Sequence, residues 1–239
     1  MASTSEVGHN KNVTNFGYTC QIVTEMGDLY NPSNPSIKLP ALTAVNTAIG
    51  LSMNNIEEKI PIYKNLVADR LTVITPLPSL VTRIYNYSKS TSITKNDEEH
   101  ILSLAKKIRG NGRRKAVTDP TVTPTKSISN SQRSFDNVVG NFKLLIEQVS
   151  SFPEYSPNED DLKVVALESY YVSLKNLNSQ VNASIDVMIT ARKERNDLLY
   201  NNEHNVIALV NEIKAYLKSL GANGQAYYKA VVAFKFKKM

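Results

Sequence analysis

The sequence predicts an all-α protein, an elongated antiparallel helical bundle built from two tandem repeats. Three observations lead there. Only 9 glycines and 10 prolines occur in 239 residues, and the prolines cluster between long stretches instead of recurring at the short intervals of a sheet protein. Those stretches carry apolar residues at three-and-four spacing, as at Ile49, Met53, Ile56 and Ile60, and again at Leu174, Leu177, Val181, Ile185 and Met188. The third observation is self-similarity. Tyr30-Asn31-Pro32 recurs as Tyr155-Ser156-Pro157, 125 residues on, and the same spacing relates Leu42 to Leu167, Ile56 to Val181, Ile60 to Ile185 and Asp69-Arg70 to Glu194-Arg195. Leu80-Val81, Ile84 and Tyr87 match Leu209-Val210, Ile213 and Tyr216 at 129, and an insertion of four residues near Tyr200 to His204 explains the change. Asn15-Phe16 matches Asn141-Phe142, so the likeness also extends upstream.

Each repeat reads as three helices and a short tail. The first helix, 10–29 and 131–151, stops at a proline-containing turn, since proline cannot continue the i to i−4 ladder. The second is long, 36–73 and 159–200. Pro61 should kink the first copy, and because its counterpart is Asp186 the two copies should diverge beyond it. The third helix, 78–90 and 205–220, has a narrow stripe of Leu80, Ile84 and Tyr87 or Leu209, Ile213 and Tyr216, with Gly221 as a C-terminal cap. The tails, 97–109 and 225–238, suit either a short strand or a last helical turn, because Tyr228 to Phe236 is rich in β-branched and aromatic residues. The expected organisation is therefore a helical repeat over 1–110, a basic then Thr/Pro/Ser-rich linker over 111–130, and a second repeat over 131–239.

Composition excludes several classes. With 41% hydrophobic and 21% charged residues, the chain has enough apolar material for a core and is not disordered over most of its length. A single cysteine, Cys20, excludes an internal disulfide framework, and with three histidines it excludes a zinc ribbon or finger, so any metal would need oxygen ligands. The first twelve residues lack the basic start and apolar run of a signal peptide, and no apolar stretch approaches the roughly 18–20 residues that span a bilayer. The expected location is the cytoplasm, with non-classical export left open.

The chain resembles a widespread family of bacterial tandem-repeat all-helical proteins. The stretches that carry the resemblance are Tyr30-Asn31-Pro32-Ser33-Asn34-Pro35, Leu80-Val81-Thr82-Arg83, Ala105-Lys106-Lys107-Ile108-Arg109-Gly110, Tyr155 to Lys163, and Lys214-Ala215-Tyr216-Leu217-Lys218-Ser219. The resemblance covers nearly the whole chain. It implies an architecture and brings no activity, cofactor or site with it.

The strongest electrostatic feature lies between the repeats. Lys106, Lys107, Arg109, Arg113, Arg114 and Lys115 place six positive charges in ten residues with no acid among them. Residues 1–117 carry net +5 and residues 118–239 net +1, so this segment accounts for the basic excess. Flexible guanidinium and ammonium groups suit phosphate, which makes these six the candidate polyanion-binding residues, set against a solvated linker that maintains solubility. Tyr227-Tyr228-Lys229 and Phe234-Lys235-Phe236-Lys237-Lys238 interleave aromatics with cations, and docking of the rings onto the bundle with the lysines in water is the expected arrangement.

Other features read as structural. Asp69-Arg70 and Glu194-Arg195 should pair across to other helices. Glu159-Asp160-Asp161 should supply negative charge to the first turn of a helix. His9, His100 and His204 do not coincide under the repeat spacing and should be exposed loop or cap residues, whereas Cys20 should be a small buried hydrophobe. There is no phosphate-cradling glycine motif in the right context and no nucleophile beside a base. The expectation is a non-enzymatic structural or interaction protein that needs no cofactor or metal and self-associates or binds a protein partner through duplicated helical surfaces. The alternatives are a nucleic-acid or polyanion binder acting through the 106–115 segment and, third, a membrane-surface-active helical protein.

Overall fold

A computed structural model describes residues 6–110 and 134–239. All regular structure among them is helical. The elements are α1 (Val7–Glu25), α2 (Leu39–Ile74), α3 (Leu77–Ser90), α4 (Lys95–Arg109), α5 (Phe135–Ser150), α6 (Val164–Asn196), α7 (Val206–Ser219) and α8 (Gln225–Ala233). Among the described residues, no helix is long and apolar enough to cross a membrane.

The tails are helical over 97–109 and 225–233. Residues 97–109 lie in α4, where the Thr94 hydroxyl accepts from the Asp97 amide at 3.2 Å, Asp97 and Glu98 occupy the first turn, and Lys106, Lys107 and Arg109 the last. The cap and these end charges complement the helix dipole and favour the helix. In α8 the β-branched and aromatic composition is overridden by packing: Tyr227, Tyr228 and Val231 turn inward together at helical spacing. From Phe234 the backbone is extended, so the aromatic–cationic run straddles a helix end.

The long helices start later than expected. Each is preceded by a short 3-10 turn, Pro35–Ile37 before α2 and Asp160–Leu162 before α6. The Tyr30 hydroxyl donates to the Ile37 carbonyl at 2.7 Å, and the Tyr155 hydroxyl donates to the Leu162 carbonyl at 3.0 Å. Both turns are thus closed by a buried phenol, whose pKa burial raises. Helix α2 continues past Pro61 to Ile74. Beyond α6 lies a turn of π-helix, Asp197–Asn201, with Leu199 and Tyr200 buried. After α7, Gly221 takes φ +61°, the left-handed C-terminal position anticipated for it. Gly224 is required for a different reason, because a Cβ there would collide with the Leu217 carbonyl oxygen of α7.

The chain forms two compact units. The first takes its described residues from Met1–Ile62 and Ser184–Met239, the second from Tyr63–Ala183. In the first, Phe16, Val23 and Ile49 share a core with Leu209, Ile213 and Val231. In the second, Leu77, Val81 and Ile101 share one with Phe142, Ile146 and Leu174. Each core therefore draws on both halves of the sequence, and α2 and α6 each contribute to both units. Their inward positions correspond: Leu42, Ile49, Met53 and Ile56 on α2, and Leu167, Leu174, Asn178 and Val181 on α6, are all buried.

Since neither half of the chain completes a core by itself, fragments 1–110 and 131–239 should co-purify as a one-to-one complex when co-expressed. Native mass spectrometry after capture of a tag on the first fragment checks this. Recovery of well-folded 1–110 alone would contradict it.

Candidate functional site

The densest polar cluster of the described residues lies inside the first unit, at the start of α1. The inward stripe of that helix is His9, Asn12, Phe16, Thr19 and Val23, at alternating three- and four-residue steps, so its amino-terminal part turns polar side chains toward the core. Asn12 is 2% exposed. Its Nδ2 donates to the Tyr200 hydroxyl at 3.0 Å and to the Lys237 carbonyl at 2.7 Å, while its Oδ1 accepts from the Lys237 amide at 3.2 Å. One turn on, Asn15 Nδ2 donates to the Lys235 carbonyl at 3.0 Å. The Tyr200 hydroxyl, delivered by the π-helical turn, also meets His9 Nδ1 at 2.9 Å.

A charged group adjoins this network. Arg195 of α6 is 3% exposed; it is ion-paired to Glu6, which also faces Arg192 at 3.4 Å, and its Nε and Nη2 donate to Asn196 Oδ1 at 3.1 and 2.9 Å. Burial, helped by the Arg195 charge, lowers the His9 pKa, so its imidazole is neutral at pH 7. Burial also raises the Tyr200 phenol. Both Asn12 amide protons and its carbonyl oxygen are engaged, so the cluster is arranged to clamp one segment onto another. His9 is a correction to the sequence expectation: it lies buried within α1, whereas His100 and His204 are exposed.

Residues 234–239 are the segment being clamped. Phe234 stacks on Tyr18 of α1 at 5.8 Å with 23° between the rings, and Phe236 packs against the first core with Lys214 Nζ 5.8 Å above it. The side chains of Lys235 and Lys237 are exposed. Cys20, two residues from Tyr18, packs partly buried against the same core, and burial raises its thiol pKa to about 11.

Of the basic candidates, Lys106 and Lys107 are exposed on the last turn of α4. Arg109 is turned back, its Nη1 donating to Thr82 Oγ1 of α3 at 3.0 Å and its Nε to the Ala105 carbonyl at 3.4 Å. Arg113, Arg114 and Lys115 lie outside the described residues. The two arginines at the 125-residue spacing both reach other elements: Arg70 stands 3.8 Å above the Phe135 ring and donates to Asn178 at 3.4 Å, where Arg195 holds Glu6. The acidic run is a further correction. Asp160 and Asp161 sit in the 3-10 turn ahead of α6, where Asp161 takes both guanidinium nitrogens of Arg83 on α3 and Asp160 pairs with Lys163 at 2.6 Å. The Arg83 pair lowers the Asp161 pKa.

The concavities are open grooves. One of about 320 Å³ in the second unit is lined by Pro76, Leu80, Arg83, Asp161 and Tyr170. Two in the first unit, about 360 and 290 Å³, lie between α2 and α6 around Asn55 and Glu194. Among the described residues, no three or more His, Cys, Asp or Glu side chains gather into a metal-binding group. No protein-family profile, curated protein or solved structure matches this chain.

Tyr200→Phe leaves His9 and one Asn12 proton without their partner, and should cost about 1–3 kcal/mol in urea unfolding. The His9 shift gives a signed pH dependence. A base whose folded pKa is depressed binds more protons unfolded, so its contribution to stability is full above the unfolded value of 6.5 and is lost as pH falls from there toward the folded pKa. The urea midpoint should fall between about pH 7.5 and pH 5, and His9→Gln should flatten that part of the slope.

Proposed function

We propose that the protein is a non-enzymatic interaction protein, made of one helical module present twice, that works by self-association through its long helices. The observation that carries this reading is a repeated contact. Tyr30 meets Tyr216 edge-on at 5.3 Å and 88° in the first unit, and Tyr155 meets Tyr87 at 5.2 Å and 84° in the second. The two rings of each pair come from opposite halves of the chain, and the pairs are related by the sequence spacings of 125 and 129. In each module the leading elements of one half dock on the trailing elements of the other. A chain built this way is an association of two copies made covalent, and it offers related surfaces twice.

Exposed aliphatic side chains support the same reading. Leu51 and Ile62 on α2 are 65% and 57% exposed, and Val187 and Ile189 on α6 are 48% and 59% exposed. Leu51 also lines the larger groove between these helices. Apolar surface on the long helices favours a partner that buries it.

Size-exclusion chromatography with light scattering at low and high salt tests this. The expected result is an oligomer that persists in high salt, as apolar contacts require. Leu51→Glu with Ile189→Glu should shift it to the monomer without loss of helical signal. A strict monomer at all concentrations would sink the reading.

A further inference from the structure

The surface of the first unit around residues 234–239 gathers lysines. Asn12 and Asn15 form a seat on α1 that holds the peptide groups of Lys237 and Lys235, so the 234–239 arm runs antiparallel to α1 and brings Met239 against Gly8. Phe234 and Phe236 turn inward, which leaves the side chains of Lys235, Lys237 and Lys238 in solvent. Lys11, also exposed, stands one turn before Asn15 on the same side of α1. From α7, Lys214 covers the Phe236 ring, and exposed Lys218 lies one turn beyond it.

Among the described residues none of these six lysines makes an ion pair, whereas Lys89, Lys143 and Lys163 each meet a carboxylate. Burial and the charge of Lys235 lower the Lys214 pKa, so like charges stand close together here. Acids of the adjoining elements are engaged elsewhere: Glu212 accepts from Asn34 Nδ2 at 2.8 Å, and Glu6 holds Arg192 and Arg195. Such self-repulsion costs stability in the free protein and is relieved by an anionic partner.

We propose that this surface docks on an anionic phospholipid bilayer, its lysines among the headgroups, without crossing it. Three features favour lipid over nucleic acid. Both phenylalanines face the core, so no ring platform is offered to bases. All six cations are lysines, point charges without the guanidinium fork that grips phosphate in a fixed geometry. Exposed Tyr18 and Met239 bracket the arm, and such side chains gain by entering a lipid interface and gain nothing on a phosphate backbone. The surface shares no residue with the long-helix contacts invoked for self-association, so either reading can fail alone.

Vesicle sedimentation tests this with the whole chain, on phosphatidylcholine alone and on phosphatidylcholine mixed with phosphatidylserine. The expected result is binding to the mixed vesicles only, falling as salt rises. Each lysine at such a surface contributes about fivefold, so Lys235→Glu with Lys237→Glu should weaken binding at least about twentyfold. Its cooperative melt should persist, because the seat uses only the peptide groups of those residues. Lys95→Glu with Lys175→Glu, the same change of net charge at exposed positions of the second unit, should bind as the parent does. Tyr18→Trp gives a chain with one tryptophan, whose fluorescence should be quenched by brominated lipid in the mixed vesicles. Failure to bind the mixed vesicles, equal binding to phosphatidylcholine alone, equal loss in the two charge variants, or absence of quenching overturns the proposal. A duplex oligonucleotide bound more tightly per phosphate than the mixed vesicles makes the partner nucleic acid and overturns it too.

Discussion

The length of α2 and α6 governs the rest of the structure. Helices of 36 and 33 residues extend about 54 and 50 Å at 1.5 Å per residue, more than one small core can cover. Buried residues run from Leu42 to Ile56 on α2, whose end adds the half-buried Val73 and Ile74 to the second core, and from Leu167 to Arg195 on α6. A stripe that long is buried only if more than one core receives it. Each helix accordingly serves both compact units, and every shorter helix packs on whichever stretch its connection allows. Covalent order then forces the mixed parentage of the cores: α1 comes before the shared helix and α3 after it, so they end in different units.

Against this common plan the two units differ in chemistry at the start of their first helices. Where α1 has His9 and Asn12, the positions 126 residues on in α5 are Phe135 and Val138, although Phe16 and Phe142 occupy the same inward place. The arginines follow suit: Arg195 is held by a carboxylate, Arg70 by the face of an aromatic ring. A guanidinium wholly or partly withdrawn from water accepts either, provided that its charge is answered. In the first unit the polar version also gains a hydroxyl from Tyr200, which the π-helical turn swings inward.

Much of the fold was legible because helical periodicity and proline punctuation are local signals. The helices were anticipated, as was the docking of the aromatic tail. The starts of α2 and α6 were less so, since the 3-10 turns depend on a phenol reaching seven residues along the chain, from Tyr30 to Ile37 and from Tyr155 to Leu162. Composition left a strand and a helical turn both open at 225–238, and burial of Val231 beside the half-buried Tyr227 and Tyr228 outweighed β-branching as far as Ala233. The polar cluster was not read at all. Its partners are about 190 and 225 residues apart, and no spacing rule connects Asn12 to Tyr200 or Lys237. One signal did exist: the inward stripe of α1 sets Asn12 in step with Phe16 and Val23, where a hydrophobe is the ordinary choice. A carboxamide at such an inward position is the kind of irregularity that marks a long-range contact.

Recognition through backbone sets which positions of the arm are free to vary. Lys235 and Lys237 give the seat only their peptide groups, so any residue that tolerates an extended conformation satisfies Asn12 and Asn15 equally well. Proline at 237 is the exception, lacking the N–H that Asn12 receives. The carboxamides have no such latitude, since aspartate or leucine of similar size supplies no donor. Mutational drift is thus permitted on one side of this contact and restrained on the other. Descendants of this sequence could recharge or recolour the outward face of the arm while its attachment is inherited unchanged.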